Sequence, residues 1–279
     1  MEVFVVKTAG FCFGVKRAIN MAYDAAKETS NEIYTLGPII HNPQVVSKLE
    51  ESKIYAKKNI DDIKNGTVII RSHGVELKEM KEAKNKNLNI IDATCPFVKK
   101  AQEHAEELSR DGYFVVVVGE KEHPEVKSIV SYVDKNAVVL ESAIDVKKLS
   151  RVKKLGIVAQ TTQSIENLQA IVSECLKKAG ELKVFNTICN ATFVRQTEST
   201  GLASKVDCMI VVGGKNSANT NRLAEVCKKI QPNTYHIETK AELKSEWFEG
   251  VKKVGITAGA STPNWIIDEV VKAIKNINC

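Results

Sequence analysis

Three cysteines each follow an apolar, strand-like run and open a helix-like run among small or polar neighbours. They are Cys12 in AGFCFG, Cys95 in DATCPF and Cys189 in NTICNA. A helix N-terminus favours the thiolate form of a cysteine, which is the form that ligates metals. Three such thiolates suit zinc or an iron–sulfur cluster. Structural zinc sites use four ligands, often in closely spaced pairs, so three widely separated cysteines favour a cluster with one iron left open.

The remaining four cysteines have different surroundings. Cys175 and Cys227 fall on apolar faces of helix-like segments, Cys208 begins the apolar run CMIVV, and Cys279 is the last residue. A free cysteine packs as a small hydrophobic side chain, so we expect the first three in the core. The odd total of seven cysteines, without a C-x-x-C pair, argues against a disulfide framework.

Polar side chains gather where other apolar runs end. Three are histidines and four carry hydroxyl or amide groups: His41, His73, His123, Thr161, Ser217, Asn219 and Ser261. Free backbone N–H groups at helix starts favour an anion. Hydrogen-bond donors with little negative charge among them therefore predict a phosphate or diphosphate site. A single histidine is more often a hydrogen-bonded, partly buried residue, so the prediction depends on the whole set.

Glu125 is the one acidic residue at these positions, two residues after His123. A glutamate in the first turn of a helix often only complements the helix dipole. Among thiolates, a metal and an anion, it is also the natural proton donor if its pKa is raised. Both interpretations stay open from the sequence.

A repeated strand–loop–helix plan positions these residues. Its clearest strand is Phe114–Val118, an apolar run that ends at Gly119 and leads to a helix start at Pro124. Such a run is typical of a strand buried on both faces of a parallel sheet, and ligands bind past the carboxyl ends of such strands. Nine units of this kind follow one another, separated by short lysine-rich or polar connectors.

The nine units fall into three sets of three. They predict an α/β fold of three similar βα domains around a pseudo-threefold axis, with the strand tips pointing inward. The predicted domains and their site residues are 1–93 with Cys12, His41 and His73; 94–185 with Cys95, His123, Glu125 and Thr161; and 186–279 with Cys189, Ser217, Asn219 and Ser261.

The composition excludes several classes of protein. Of the 279 residues, 43% are hydrophobic and 27% are charged, which is typical of a globular protein, and no apolar run is long enough to span a membrane. The N-terminus lacks the pattern of a signal peptide, so we expect a cytoplasmic protein. The formal charge of +6 is spread along the helices and stacking aromatics are scarce, which argues against nucleic-acid binding. We expect a monomer.

In combination, the motifs resemble those of the 4-hydroxy-3-methylbut-2-enyl diphosphate reductases, the LytB/IspH family, over essentially the whole chain. The motifs are AGFCFGVKRAI, GPIIHNPQVV, RSHGV, DATCPFVKK, HPEV, AQTTQS, TICNAT, GGKNSANTNRL and TAGASTP. The resemblance implies a three-domain α/β trefoil around a central [4Fe–4S] cluster. It implies Cys12, Cys95 and Cys189 as the cluster ligands, with the fourth iron open for the hydroxyl group of the substrate.

The resemblance also implies the chemistry. The reaction is a reductive dehydroxylation that uses two electrons and two protons, and it gives isopentenyl and dimethylallyl diphosphates. Ferredoxin or flavodoxin supplies the electrons one at a time. Glu125 matches the proton donor and Thr161 a threonine near the substrate alcohol. The diphosphate ligands match His41, His73, His123, Ser217, Asn219 and Ser261.

One position departs from the pattern of the family. Where relatives commonly have Ser-Ser-Asn, this chain has Ser217-Ala218-Asn219, so one hydroxyl group is missing from the diphosphate site. The main alternative function is a non-catalytic iron–sulfur or zinc sensor that binds an anionic metabolite. Glu125 separates the two hypotheses, because a sensor needs no proton donor.

Overall fold

The structure is a computed structural model and describes residues 1–29 and 32–277. The strands in this part of the chain are β1 (Glu2–Val5), β2 (Ile33–Leu36), β3 (Ile54–Lys57), β4 (Thr67–Ile70), β5 (Asn89–Asp92), β6 (Phe114–Val118), β7 (Ala137–Leu140), β8 (Val152–Ala159), β9 (Ala179–Val184), β10 (Cys208–Val212), β11 (Thr234–Ile237) and β12 (Lys253–Ala258). The α-helices are α1 (Phe13–Glu28), α2 (Pro43–Glu51), α3 (Leu77–Asn85), α4 (Pro96–Arg110), α5 (Pro124–Val130), α6 (Ile165–Cys175), α7 (Asn190–Ala203), α8 (Ala218–Ile230) and α9 (Asn264–Lys275).

The strands form three parallel four-stranded sheets with one shared topology. Sheet I has the order β3-β2-β4-β5, sheet II the order β7-β6-β8-β9, and sheet III the order β11-β10-β12-β1. In each sheet the first inner strand (β2, β6 or β10) pairs on one side with the strand that follows it in the chain, which is the edge strand. On its other side it pairs with the second inner strand (β4, β8 or β12). The predicted α/β class with three similar βα parts is confirmed.

The N-terminal strand differs from its predicted place. β1 pairs with β12, with Val3 opposite Val254, and so holds in sheet III the edge position that β5 and β9 hold in the other two sheets. β1 was predicted to belong to the domain of residues 1–93, but it lies in the sheet formed by the C-terminal strands. An apolar run shows that a strand forms, but the partner strand is decided by the free edge that the folded chain offers.

Contacts divide the chain into two compact units. The first unit contains residues 1–16, 41–45 and 190–279 and includes sheet III. The second unit contains residues 17–40 and 46–189 and includes sheets I and II. Cys12 thus belongs to the unit of Ser217 and Ser261, whereas Cys95 and Cys189 both belong to the second unit.

All nine predicted strand–helix units are present, and the sequence prediction missed three strands. These are the edge strands β3, β7 and β11, which lie in segments predicted to be connectors. Each has only four residues, and a short 3-10 segment follows each one, at Ile60–Asp62, Ala143–Lys148 and Lys240–Glu242. Because a run of four residues is too short to show a clear period, its hydrophobic pattern does not separate a strand from a connector.

The central strands are buried on both faces, as predicted for Phe114–Val118. In β6, Val116 and Val118 join a core cluster with residues of α6, whereas Val115 and Val117 join another with residues of α4 and α5. Successive side chains of a strand point to opposite faces, so a fully apolar strand must have a layer of helices on each side.

Prolines set several helix starts next to the predicted site residues. α2, α4 and α5 begin at Pro43, Pro96 and Pro124, where the missing proline N–H removes no helical hydrogen bond. The fourth predicted start, Pro263, precedes the first residue of α9 by one position. No helix within residues 1–29 and 32–277 is long and apolar enough to cross a lipid bilayer.

Gly156 and Gly201 have different surroundings, so replacing each by alanine should change the stability of the protein in opposite directions. At Gly156 in β8, a Cβ atom would lie 2.6 Å from Cδ2 of Leu108, which is fully buried on α4. At Gly201, which is exposed in α7, a Cβ atom would meet nothing within 4 Å. Gly156 allows α4 to approach β8 closely. Gly201 makes no such contact and only lowers the helix propensity of α7.

We therefore expect Gly156→Ala to lower the free energy of unfolding by about 1–3 kcal/mol through overpacking. Gly201→Ala should raise it by up to about 1 kcal/mol, because alanine is the better helix former. Urea-induced unfolding of the two variants and the parent protein measures both changes. An unchanged midpoint for Gly156→Ala would contradict the close packing of α4 on β8.

Candidate active site

The first inner strand of each sheet ends in an equivalent loop. A glycine follows the strand directly, and its N–H donates to the last residue of the neighbouring edge strand: Gly37 to Lys57 at 2.7 Å, Gly119 to Leu140 at 3.0 Å and Gly213 to Ile237 at 2.9 Å. Four residues after the glycine come His41, His123 and Ser217. The three predicted site residues thus occupy the same loop position in sheets I, II and III.

The three predicted cysteine ligands share one backbone hydrogen bond. Each donates its N–H to the carbonyl of the residue two positions beyond the end of an inner strand: Cys12 to Ala260 at 3.1 Å, Cys95 to Ser72 at 2.9 Å and Cys189 to Thr161 at 2.9 Å. These strands are β12, β4 and β8, which are equivalent in the three sheets. Each cysteine is therefore fixed beside a loop that carries another predicted site residue.

The six described cysteines form two classes, as the sequence predicts. Cys12, Cys95 and Cys189 are half-buried. Cys175, Cys208 and Cys227 are fully buried in core clusters, and burial raises the pKa of their thiols to about 11, 12 and 12. The predicted core position of these three is confirmed, whereas Cys279 lies outside the described residues.

Glu125 is buried and held by Thr161 in the second unit. Only 1% of the residue is exposed. Its Oε1 accepts a hydrogen bond from the N–H of Thr161 at 2.6 Å, and its Oε2 accepts one from the Thr161 hydroxyl at 3.0 Å. Burial raises the pKa of Glu125 to about 7, although both hydrogen bonds favour the charged form and lower it. Near neutral pH this carboxyl group can both hold and release a proton.

His123 is held in one tautomer. Its Nδ1 accepts a hydrogen bond from the N–H of Glu125 at 3.1 Å and so caps α5. In the neutral ring the proton must then be on Nε2, which makes this atom a hydrogen-bond donor. The ring of His73 meets that of His123 edge to face, with centroids 5.4 Å apart.

The second unit brings six of the predicted residues into one connected series. Cys95 bonds to the residue before His73, and the His73 ring contacts His123. Glu125 bonds to His123 and Thr161, and Thr161 bonds to Cys189. A cysteine that is a predicted ligand thus stands at each end of a series that contains a buried carboxyl group and two imidazole rings.

The first unit brings together the other predicted residues. The hydroxyl of Ser261 donates to the carbonyl of His41 at 3.2 Å. Gly214 lies so close to this carbonyl that a Cβ atom there would be 2.7 Å from it. Ser217 caps α8 through a hydrogen bond that its hydroxyl accepts from Thr220, and its N–H donates to Gly214. These bonds place the loops after β2, β10 and β12 side by side.

Asn219 supplies a donor to this loop cluster. The side chain is 93% buried, since 7% is exposed, and its Nδ2 has no hydrogen-bond partner among the described residues. A buried donor without a partner costs free energy comparable to that of a lost hydrogen bond. An anion at the N-terminus of α8 would satisfy it, which agrees with the predicted diphosphate site.

Arg195 and Glu198 fix the loop before Cys12, and the sequence analysis assigned them no role. The Arg195 guanidinium donates to the carbonyls of Thr8 at 2.7 Å and of Gly10 at 2.8 Å. The Glu198 carboxylate accepts hydrogen bonds from the N–H and the hydroxyl of Thr8. In the sequence, the Arg-Gln pair of TFVRQTEST is the signal for this role.

Known proteins resemble the chain over its full length. A family profile described as LytB protein matches residues 3–275. Proteins from Pelobacter propionicus and Trichlorobacter lovleyi are 61% and 59% identical over 278 residues, which cover 100% of this chain and 99% of each relative. Both are named 4-hydroxy-3-methylbut-2-enyl diphosphate reductase.

Two solved structures share the fold. One is described as (E)-4-hydroxy-3-methyl-but-2-enyl diphosphate reductase, the terminal enzyme of the non-mevalonate pathway; it is 48% identical with a TM-score of 0.74 and covers 99% of this chain and 100% of its own. The other is the E-1-hydroxy-2-methyl-but-2-enyl-4-diphosphate reductase of Plasmodium falciparum, 29% identical with a TM-score of 0.94, covering 99% of this chain and 88% of its own. The predicted family is confirmed, and this chain belongs to the LytB family.

Proposed function

We propose that this protein is an oxidoreductase that converts (E)-4-hydroxy-3-methylbut-2-enyl diphosphate into isopentenyl and dimethylallyl diphosphates, the last step of the non-mevalonate isoprenoid pathway. The observation that best supports this function is the buried Glu125–Thr161 pair. Burial raises the pKa of the Glu125 carboxyl group to about 7. It belongs to the same connected series as two half-buried thiols, in a chain of the LytB family. A site that only bound an anion would have no use for a buried acid that is half protonated near neutral pH.

Cys12, Cys95 and Cys189 would hold a [4Fe–4S] cluster with one iron open for the substrate. The donor set fits this group, because the three thiols are half-buried and occupy equivalent positions, whereas the remaining described cysteines are in the core. When bound, the cluster supplies a Lewis acid for the hydroxyl group and passes on single electrons. The backbone bond of each cysteine would hold in place the main chain that carries its thiol.

Glu125 is the catalytic acid in this proposal. It gives its proton to the departing hydroxyl oxygen, so that the C–O bond breaks and water leaves. The net reaction takes up two electrons and two protons, one proton entering the water and one the allylic carbon. Thr161 orients the carboxyl group through two hydrogen bonds and relays protons through its hydroxyl.

The diphosphate is the group by which the substrate is held. His41, His73, His123, Ser217, Asn219 and Ser261 would donate to it. His123 presents Nε2–H, and Asn219 has a buried donor without a partner. At position 218, where a hydroxyl is missing, α8 begins with Ala218, and its free backbone N–H takes over as donor. Binding energy from this end of the substrate positions the reacting carbon.

Electrons would arrive singly from a ferredoxin or a flavodoxin. The protein acts as a monomer in the cytoplasm in this proposal, without nucleic-acid or membrane partners. The alternative is a non-catalytic sensor, which would bind the cluster and the diphosphate without turnover.

The first test is anaerobic. We expect purified protein to contain iron and sulfide, to oxidise reduced methyl viologen when the hydroxymethylbutenyl diphosphate is added, and to release the two C5 diphosphates. Cys12→Ser, Cys95→Ser and Cys189→Ser should each lose iron, whereas the core variant Cys227→Ala should keep it. A full cluster without dye oxidation would support the sensor instead. Zinc in place of iron would overturn the cluster.

Glu125→Gln should separate binding from turnover. The amide keeps the shape of the carboxyl group but supplies no proton, so we expect turnover to fall about 10²- to 10⁴-fold. Cluster absorption and affinity for the diphosphate should stay near those of the parent. Glu122→Gln, an exposed change three residues earlier in the chain, is the matched control and should leave turnover unchanged. Near-normal turnover of Glu125→Gln would exclude this role.

The pH dependence should report the pKa of Glu125. A general acid works only when protonated, so turnover should fall as the pH rises above about 7, the folded-state pKa. The Thr161 hydroxyl lowers this pKa through its hydrogen bond, so Thr161→Val should move the decline to higher pH while lowering turnover. Thr161→Ser keeps the hydroxyl and should keep the profile. An unmoved profile in Thr161→Val would assign the titration to another group.

A further inference from the structure

One buried group of polar contacts joins three elements of the second unit. Nε2 of Gln102, on α4, donates to the hydroxyl of Ser128, on α5, at 2.6 Å. The same hydroxyl donates to the carbonyl of Val75, in the loop after β4, at 2.9 Å. Gln102 is 5% exposed and Ser128 is fully buried, so water does not compete for these bonds. Together these three residues form the polar clamp.

Each of the three joined elements also carries predicted site residues. α4 begins at the residue after Cys95. α5 begins at the residue after His123 and has Glu125 in its first turn. In the loop after β4, His73 lies two residues before Val75. The polar clamp therefore links the backbone segments of a predicted cluster ligand, of the proposed acid and of two predicted diphosphate ligands.

Gly74 makes this close approach possible. Its φ is +74°, a left-handed backbone conformation that favours glycine. A Cβ atom at this position would lie 2.7 Å from Nε2 of Gln102 and 2.7 Å from the hydroxyl oxygen of Ser128. The loop that carries His73 therefore lies closer to α4 and α5 than a residue with a Cβ atom at position 74 would allow.

Further hydrogen bonds hold the same loop on both sides of His73. The N–H of Leu77 donates to the hydroxyl of Ser131 at 3.0 Å, and that hydroxyl donates to the carbonyl of Ser128 at 2.7 Å. On the other side, the residue before His73 accepts the hydrogen bond from the N–H of Cys95. Both ends of the loop are thus bonded to elements that carry other predicted site residues.

Packing alone does not hold the loop on the side of the clamp. A cavity of about 180 Å³ is lined there by Val75 and Gln102 and by polar side chains that include Asp92, Lys99 and Tyr132. Where a cavity takes the place of neighbouring atoms, the side chains that line it lose packing contacts. The position of Val75 relative to α4 and α5 therefore depends on the hydrogen bonds of the clamp.

We propose that Gln102 and Ser128 are positioning residues that hold the loop of His73 in place to bind the diphosphate. This inference rests on the proposed function. The rings of His73 and His123 meet with centroids 5.4 Å apart, so a shift of this loop relative to α5 would separate two predicted ligands of one group. Apolar side chains could fill the same space, but a satisfied buried network of hydrogen bonds selects one arrangement.

Kinetics of the holoenzyme give the first test. Gln102→Met keeps the approximate shape of the side chain without its donor, and Ser128→Ala removes the hydroxyl group. We expect each change to raise the KM for the hydroxymethylbutenyl diphosphate about tenfold, because a displaced imidazole loses a hydrogen bond to the substrate. The kcat should fall less, since Glu125 keeps both bonds from Thr161, and the iron content should stay unchanged. An unchanged KM in both variants would contradict the proposal.

Two comparisons separate positioning from a loss of stability. Gln231→Met makes the same change where a glutamine donates to the carbonyl of Val206, ahead of β10, and it should leave the KM unchanged. The double variant with Gln102→Met and Ser128→Ala leaves no buried glutamine donor without a partner, so it should be more stable to urea than Ser128→Ala alone. Its KM should nevertheless stay raised. A KM that recovers together with the stability would reduce the clamp to a structural role.

Hydrogen exchange gives a readout that needs no turnover, so its result does not depend on the proposed reaction. In Ser128→Ala we expect the amides of residues 73–77 to exchange about tenfold faster, while those of β4 and β6 exchange as in the parent protein. Unchanged exchange in residues 73–77 would show that the clamp does not hold the loop. Equally faster exchange in β4 and β6 would show a general loss of stability and would also overturn the proposal.

Discussion

The backbone hydrogen bond from each site cysteine to the tip of an inner strand is the constraint on which the rest of the site depends. Cys12, Cys95 and Cys189 donate their N–H groups to equivalent residues beyond β12, β4 and β8. This bond uses only the backbone N–H of each cysteine, so it does not involve the thiol that the proposed cluster would need. The repeated sheet topology therefore repeats one backbone position for a cysteine three times, which suits the proposed cluster with three protein ligands.

Burial and hydrogen bonding oppose each other at Glu125, and burial prevails. The two bonds from Thr161 would make the carboxyl group a stronger acid, but the loss of water raises its pKa to about 7. Because the charged form is penalised in the folded state, this group contributes stability below its unfolded pKa of about 4.5, and the contribution is lost as the pH rises through about 7. A cost of this kind at neutral pH is typical of functional sites, and it agrees with the proposed role of Glu125 as an acid.

The first strand of the chain completes the sheet that the last three strands form, and in this way three sheets of four strands arise. β1 takes the fourth position in sheet III, so the segment before Cys12 is held by residues from the other end of the chain. Arg195 and Glu198 strengthen this link by bonding to Thr8. The loop before Cys12 is therefore fixed by distant parts of the sequence.

The sequence alone determined the nine strand–helix units, the helix starts at Pro96 and Pro124, and the division of the described cysteines into three half-buried and three core residues. These features are local, because they follow from hydrophobic period, proline geometry and immediate neighbours. Only the tertiary structure decided that β1 pairs with β12, that β3, β7 and β11 complete the edges, and that Glu125 is buried against Thr161. Strand partners and desolvation depend on residues far apart in the chain, so no local pattern contains them.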